Sequence, residues 1–527
     1  MRESGLRHSQ RSDVVLIGYE DEENLGLRSI AAFLEKHGIR AKIEPYTISS
    51  KRQILQHIRE SCPKIVGFSL IFQRMLMEFA ALAKYLRLHG VTAHFTMGGH
   101  FPTIEYAKTL DLIPELDSVV RHEGENATLE LYRQLDDPKL WSKIKGIAFR
   151  KNGNVQATPP RPLIGNLDSL PFPTRRAGVQ RHRGLGMCSI LASRGCYYNC
   201  SFCSVREFYY GAPGAKRRSR SPSNVAQEIE QLFKNGIRIF KFVDDDLGMK
   251  TTSQHDWITE FAGELKRRHL AEEILWRISN RIDELDPDYL RMLEDVGLTF
   301  IYTGIESGSN QGLKTCNKNY SVDDVYRALK MLEEAGMHFD YGFMMLTPDS
   351  TLRSIEADLR FLRNLTRNGR AIVHFTKMFP YVGTPIAERL SREERLEGTI
   401  DFPSYRFIDP KLNLMEVFLV KSFHDAIFDT DGVVNRLRML LFDVEVLRKF
   451  FPERYDIEEY EKSLRTLIIS YNESALETID IALRFMKKHD YRDILYYWDT
   501  FEFLSQQELD VQSRISASID TLVPEEL

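Results

Sequence analysis

What the 527 residues lack narrows the problem first. No apolar run reaches the ~18 residues of a membrane span. The opening stretch, Met1 to Asp13, is polar and has no apolar core of the kind that marks a signal peptide, so a cytosolic protein is expected. Cysteine is scarce: six in this length cannot build a disulfide scaffold, and a reducing compartment turns attention to metal ligation. An excess of one charge is missing too. Lys and Arg number 71 against 75 Asp and Glu, a formal charge of -4, which argues against nucleic acid as the main partner. Low-complexity segments are absent, and 43% hydrophobic residues is too apolar for disorder. What is there is length, enough for roughly two to four domains.

The first ~135 residues alternate short apolar runs with amphipathic stretches. Strand signals lie at 13–18, 41–44, 65–69, 92–97 and 118–120, with helical patterns between them and a last helix at 126–135. Strands separated by helices imply parallel βαβ units in a doubly wound, Rossmann-like α/β sheet. Ligands of such sheets sit beyond the carboxyl ends of the strands, where three loops fall: 18–26, 69–72 and 98–102. A Pro-, Gly- and Arg-rich linker follows near 159–180. A second alternating region then runs from a strand at 189–192 to one at 372–379, about six βα repeats and so fewer than a full barrel. Beyond 400 strand signals fade, and 425–450, 457–470 and 476–488 read as helices. The expected division is 1–150, a linker at 151–185, a partial barrel at 186–400 and a helical domain at 401–527.

Half of the cysteines fall within eight residues, Cys196-Tyr-Tyr-Asn-Cys200-Ser-Phe-Cys203, directly after the first barrel strand. Thiolates favour zinc or iron–sulfur clusters. A structural zinc normally takes four ligands in two pairs, and Cys62, Cys188 and Cys316 supply no second pair. Three thiolates on a four-iron cluster leave one iron open to a small molecule, and this is the preferred reading.

The Cys-x3-Cys-x2-Cys spacing, with Phe202 before the third cysteine, resembles the radical S-adenosylmethionine (SAM) superfamily. The resemblance implies a partial (β/α)6 barrel, with Cys196, Cys200 and Cys203 holding a [4Fe–4S] cluster whose open iron chelates SAM. Reductive cleavage, fed by an external donor of flavodoxin or ferredoxin type, then gives a 5′-deoxyadenosyl radical. Other segments follow in the family's order. Phe242-Val-Asp-Asp-Asp246 ends the second barrel strand, where the family places acids near the SAM ammonium. Asp244 and Asp245 are the candidates, because alternation turns one of two neighbours toward the site; the alternative is a run that caps the next helix. Gly304-Ile-Glu-Ser-Gly308 resembles the segment near the ribose and methionine, with Glu306 as the contact. Lys216-Arg-Arg-Ser-Arg220 either holds an anion or is a solvated loop.

A doubly wound domain ahead of such a barrel resembles the cobalamin (B12)-dependent class. Ser69-Leu-Ile71 stands near that class's S-x-L motif, and Met97-Gly-Gly-His-Phe-Pro102 matches its G-G motif. Ser69, Leu70, Gly98 and Gly99 are therefore expected at the corrinoid, the glycines because a Cβ would obstruct the nucleotide tail. Arg121-His-Glu-Gly-Glu125 resembles a further loop of the class. Asp21-Glu-Glu-Asn-Leu-Gly26 keeps the Asp and Gly of D-x-H-x-x-G, but Glu23 stands at the cobalt-ligating His. His100 and His122 match no ligand position.

The resemblance covers about residues 13–400 and implies a methyltransferase acting on an unactivated carbon or a phosphinate phosphorus. The rivals are a B12-dependent cyclase, rearrangement or oxidation enzyme without methyl transfer, and a radical SAM enzyme whose first domain binds no B12. Methylthiotransferases carry further cluster cysteines in their first domain, where Cys62 is alone. The C-terminal aromatics, among them Phe442, Phe450, Tyr496, Tyr497, Trp498 and Phe501, read as core. The substrate, a small molecule, lipid or peptide, is not legible.

Overall fold

The computed structural model describes residues 12–20, 22–175 and 179–522; Asp21 lies outside the described residues. Strands β1 (Val14–Gly18), β2 (Ala41–Pro45), β3 (Ile65–Ser69), β4 (His94–Gly98) and β5 (Ser118–Val120) are parallel, in the order β2-β1-β3-β4-β5. A hairpin of β6 (Ile147–Lys151) and β7 (Asn154–Ala157) extends the sheet antiparallel. Helices on both faces explain why β1 is apolar without alternation. Val15 and Ile17 enter one core with Phe68 and Leu82, while Val14 and Leu16 enter another with Ala31 and Leu34.

The second sheet begins with the hairpin β8 (Gln180–His182) and β9 (Leu185–Ile190). A two-residue pair, β10 (Ser193–Arg194) and β11 (Arg218–Ser219), brackets the cysteine loop. The sheet continues in parallel through β12 (Ile237–Phe242), β13 (Leu275–Asn280), β14 (Leu298–Glu306) and β15 (His338–Phe343). It is an open half-barrel. The sixth strand expected at 372–379 is reduced to one bridge, Leu346 to Lys377. There the backbone N–H of Val373 goes to the Asn472 side chain at 2.7 Å instead of to a neighbouring strand, because a C-terminal helix packs where a ladder would continue.

That part of the chain consists of helices Lys411–Phe428, Val433–Phe450, Ile457–Lys488, Tyr491–Tyr496 and Trp498–Leu522. The helix expected at 425–450 is broken at Gly432, where a Cβ would lie 2.3 Å from the Asp425 carbonyl. The two helices expected at 457–488 are one. These helices share a single core with the outer face of the half-barrel, and Phe442 and Val446 close its floor against Ile239, Leu275 and Phe300. The aromatic expectation divides: Phe442 and Phe501 are core, whereas Tyr496 is 81% exposed. Among the described residues no helix is long and apolar enough to cross a membrane.

Candidate active site between two sheet edges

The carboxyl edges of the two parallel sheets face each other across a cavity of about 810 Å³. The first sheet contributes Gly26, Ser69, Gly98 and Gly99; the half-barrel contributes Leu191, Ser193, Arg194, Val243 and Asp245. All three loops expected to carry ligands line it. Leu70 does not: it is fully buried in the core of the first domain. The reason for Gly99 also differs from the expected one. Its φ is +120°, and a Cβ would sit 2.0 Å from the Leu70 carbonyl oxygen, so loop packing already requires glycine before any ligand arrives.

Charge holds the edges together. Glu23, at the position of the family's histidine, accepts from the backbone N–H of Ser189 at 2.6 Å and pairs with Arg28 at 2.8 Å and Arg175 at 2.9 Å. It is an interdomain clamp. Glu123 pairs with Arg194 and Arg218 at 3.1 and 2.8 Å, and Glu125 with Arg194 at 2.6 Å. His100 meets the Ser204 hydroxyl at 3.0 Å, and His122 donates through Nδ1 to the Phe208 carbonyl at 2.6 Å. Both therefore hold the helix Ser204–Tyr210 that leaves the third cysteine. Burial pushes His100 down to about 4, so it is neutral at pH 7. The basic run is neither a solvated loop nor a free anion site. Arg218 and Arg220 are buried on Glu123 and Glu228, Arg217 donates to the Asp246 and Leu247 carbonyls, and Lys216 donates to the Ala212 carbonyl.

The cysteine loop is anchored by the acids that end β12. Asp244 is buried and accepts from the Ala192 N–H at 3.2 Å and the Ser193 hydroxyl at 2.5 Å; Asp245 accepts from the Gly195 N–H at 2.9 Å and also lines the cavity. Alternation thus turns Asp245 to the cavity, and burial raises its carboxyl to about 6. Asp246 accepts from the Arg281 N–H at 3.2 Å, and its Oδ2 is buried with no hydrogen-bond partner. Burial, then the neighbouring Glu284, raises Asp246 to about 7. Among the described residues the trio that brings three ligand atoms within 4.8 Å of one another is His424, Asp425 and Asp429. Burial raises Cys196 to about 12 and Cys203 to about 11. Thiolate character at these positions therefore calls for bound cationic metal.

Two family models match, one described as the radical SAM superfamily over residues 190–362 and one as the B12 binding domain over residues 12–132. The chain carries a radical SAM domain and a B12-binding domain. Its cofactors are a [4Fe–4S] cluster, SAM and cobalamin. Over 398 residues this radical SAM enzyme is 28% identical to an uncharacterized methyltransferase of Pyrococcus horikoshii, covering 74% of this chain and 83% of that one. It is 24% identical to the anaerobic magnesium-protoporphyrin IX monomethyl ester cyclase of Cereibacter sphaeroides, covering 68% of this chain and 58% of the cyclase. The solved structure of the cobalamin-dependent SAM radical enzyme OxsB, with aqua-cobalamin and SAM bound, superposes with a TM-score of 0.65 at 15% identity. That match covers 98% of this chain and 80% of OxsB and shows the fold.

Several residues packed around the cysteine loop carry no motif. Arg281 lies at the end of β13 with Nη1 3.5 Å from the Cys200 sulfur and its guanidinium 3.6 Å over the Tyr198 ring. Lys318 is 3.0 Å from Glu306 and 5.7 Å from the Phe202 ring. The rule that places ligands at strand ends would have found Arg281. Lys318 lies past a helix, and nothing in the sequence marks it. Glu306 has φ +68° and is buried against Lys318, so its carboxylate already has a cation. Its loop is held by Asp358, which accepts from the Ser307 hydroxyl at 2.9 Å and the Gly308 N–H at 2.7 Å.

Proposed function

We propose that this enzyme is a cobalamin-dependent radical SAM methyltransferase that adds a methyl group to an unactivated carbon or phosphorus centre. The observation that carries the reading is a cavity lined by both sheet edges, because transfer between two cofactors needs a shared space. Bound there, SAM on the reduced cluster supplies a hydrogen-abstracting radical, and cobalamin supplies the methyl group.

In this reading Cys196, Cys200 and Cys203 hold the cluster, and Phe202 and Lys318 wall it. Asp244 and Asp245 fix the cysteine loop through Ala192, Ser193 and Gly195. Asp245 also presents its carboxylate to the SAM ammonium, and Glu306 bounds the SAM pocket from the opposite strand. Ser69, Gly98, Gly99 and Gly26 give the corrinoid a surface of small residues, and Asp21, five residues before Gly26 in the sequence, belongs to the same reading. Glu23, engaged by three partners, has no side-chain nitrogen to offer cobalt at the position of the class's histidine. The division into residues 1–150, 151–185, 186–400 and 401–527 belongs to the same reading. So do a low-potential flavodoxin- or ferredoxin-type electron donor, a small-molecule or peptide substrate, and a cytoplasmic setting.

Likeness to the Pyrococcus methyltransferase over 83% of its length supports methyl transfer. Likeness to the cyclase keeps a reaction without methyl transfer as the second reading. The deciding experiment is anaerobic reconstitution with iron, sulfide and cobalamin, followed by reductant and SAM, with both nucleoside products quantified. 5′-Deoxyadenosine together with cobalamin-dependent S-adenosylhomocysteine is expected; deoxyadenosine alone would favour the second reading. Asp245→Ala should weaken SAM binding roughly tenfold while cluster absorbance persists, as an equilibrium titration would measure.

A further inference from the structure

Beneath the cavity the half-barrel holds a polar layer that the reading above does not use. Side chains alternate along a strand, so Ile239, Lys241 and Val243 share one face of β12, and Leu275 and Arg277 share the matching face of β13. That face is the inner one: Ile239 and Leu275 pack on the floor with Phe442, and Val243 lines the cavity. Lys241 and Arg277 are register partners on adjacent strands, so two cations stand side by side between an apolar floor and the cofactor cavity.

Their charges are not balanced. Lys241 pairs with Glu22, which reaches down from the first domain's cavity-lining loop. Asp340 is 3.1 Å from Arg438 and already taken. Arg277 makes no hydrogen bond or ion pair among the described residues; it feels Glu22 and Asp340 only at longer range. Three cations thus face two carboxylates in this layer. Burial, and then Arg277 itself, pushes Lys241 below the usual lysine range, and burial lowers Arg277 as well. Arg277 is half-buried, and a guanidinium there without a carboxylate partner keeps donors free for a ligand. Its planar fork suits two oxygens of a carboxylate or phosphoryl group.

We propose that Arg277, with Lys241 beside it, is the anion subsite of the substrate. A carboxylate or phosphoryl group docks on the Arg277 fork at the bottom of the half-barrel, and the carbon to be modified stands above it in the cavity. This rests on the functional reading only in that the substrate enters the half-barrel. The two cations select acidic molecules and set how deep they sit.

The test uses the full chain loaded with cluster and cobalamin, without SAM or reductant, titrated calorimetrically with inorganic phosphate and, separately, with acetate. One site per chain is expected, weakened roughly tenfold or more by Arg277→Gln and less by Lys241→Gln. The tighter of the two probes identifies the group as phosphoryl or carboxylate. Should Arg277→Gln fail to fold, Arg277→Lys decides, since it keeps the charge and loses the fork: weaker binding supports the subsite, and unchanged binding overturns it. Equal binding by wild type and Arg277→Gln, or no binding by wild type, also overturns it. No turnover is involved, so failure here leaves the radical assignment standing, and absence of deoxyadenosine would sink that assignment without touching this one.

Discussion

The two sheet edges that face each other are built on opposite plans. The first presents small residues and backbone to the cavity, with Gly26, Ser69, Gly98 and Gly99 along its rim, and turns its carboxylates sideways onto arginines of the barrel. The second is dense in buried ionisable groups: Asp244, Asp245, Asp246, Arg281, Glu306 and Lys318 all lie around the cysteine loop. Shape is what a large, nearly neutral ring needs from its host. Fixed charge is what a metal cluster and a zwitterion need, and it must be arranged before they arrive.

If the plans are separable, each should break alone. The largest effect is expected from Cys200→Ala, which should reduce SAM cleavage to background and abolish cluster absorbance while cobalamin is still retained. Gly99→Ala is the mirror case. Its positive φ and the Leu70 carbonyl should cost about 2–4 kcal/mol, read by denaturant melting, with cobalamin retention lost and cluster content preserved. Loss of both cofactors in either variant would show that the edges form one unit. Glu23→Gln sharpens the comparison at the joint: it removes one of two carboxylate partners from Arg28, which keeps Glu20, and from Arg175, which keeps Glu228, and should cost about 1–2 kcal/mol, lowering Tm with cluster content preserved.

A last effect depends on pH and belongs to the charged edge alone. Burial raises Asp358 from 3.8 to about 7, opposed by its bonds to Ser307 and Gly308. Between those values the unfolded chain has released a proton that the folded chain keeps. Stability from this group is therefore whole below pH ~4 and lost as pH rises through ~7. Asp358→Asn keeps the acceptor oxygen and should flatten that slope, gaining up to roughly 2–4 kcal/mol on wild type above pH 7; melting curves from pH 5 to 8 would measure it.

Much of this was legible in the sequence because it is periodic or local. Two runs of alternating strands and helices announce the two sheets, and three cysteines in eight residues announce the metal. The three loops that line the cavity followed from strand order alone. What escaped was set by contacts between distant segments. Nothing near Glu23 shows that it meets Ser189 and Arg175, nothing in the basic run shows that Arg218 is taken by Glu123, and Leu70 turns inward because the loop beyond β3 packs on Gly99. The sixth barrel strand failed for the same reason: Val373 reads as strand until Asn472, 99 residues later, takes its N–H.

The carboxylates that close the joint also bear on how the molecule is born. Glu23, Glu123 and Glu125 leave the ribosome with the first sheet, while Arg175, Arg194 and Arg218 emerge later. Until those arginines follow, the carboxylates on the rim of the first sheet lack their partners from the second. The joint between the two sheets is therefore complete only once the chain extends through Arg218.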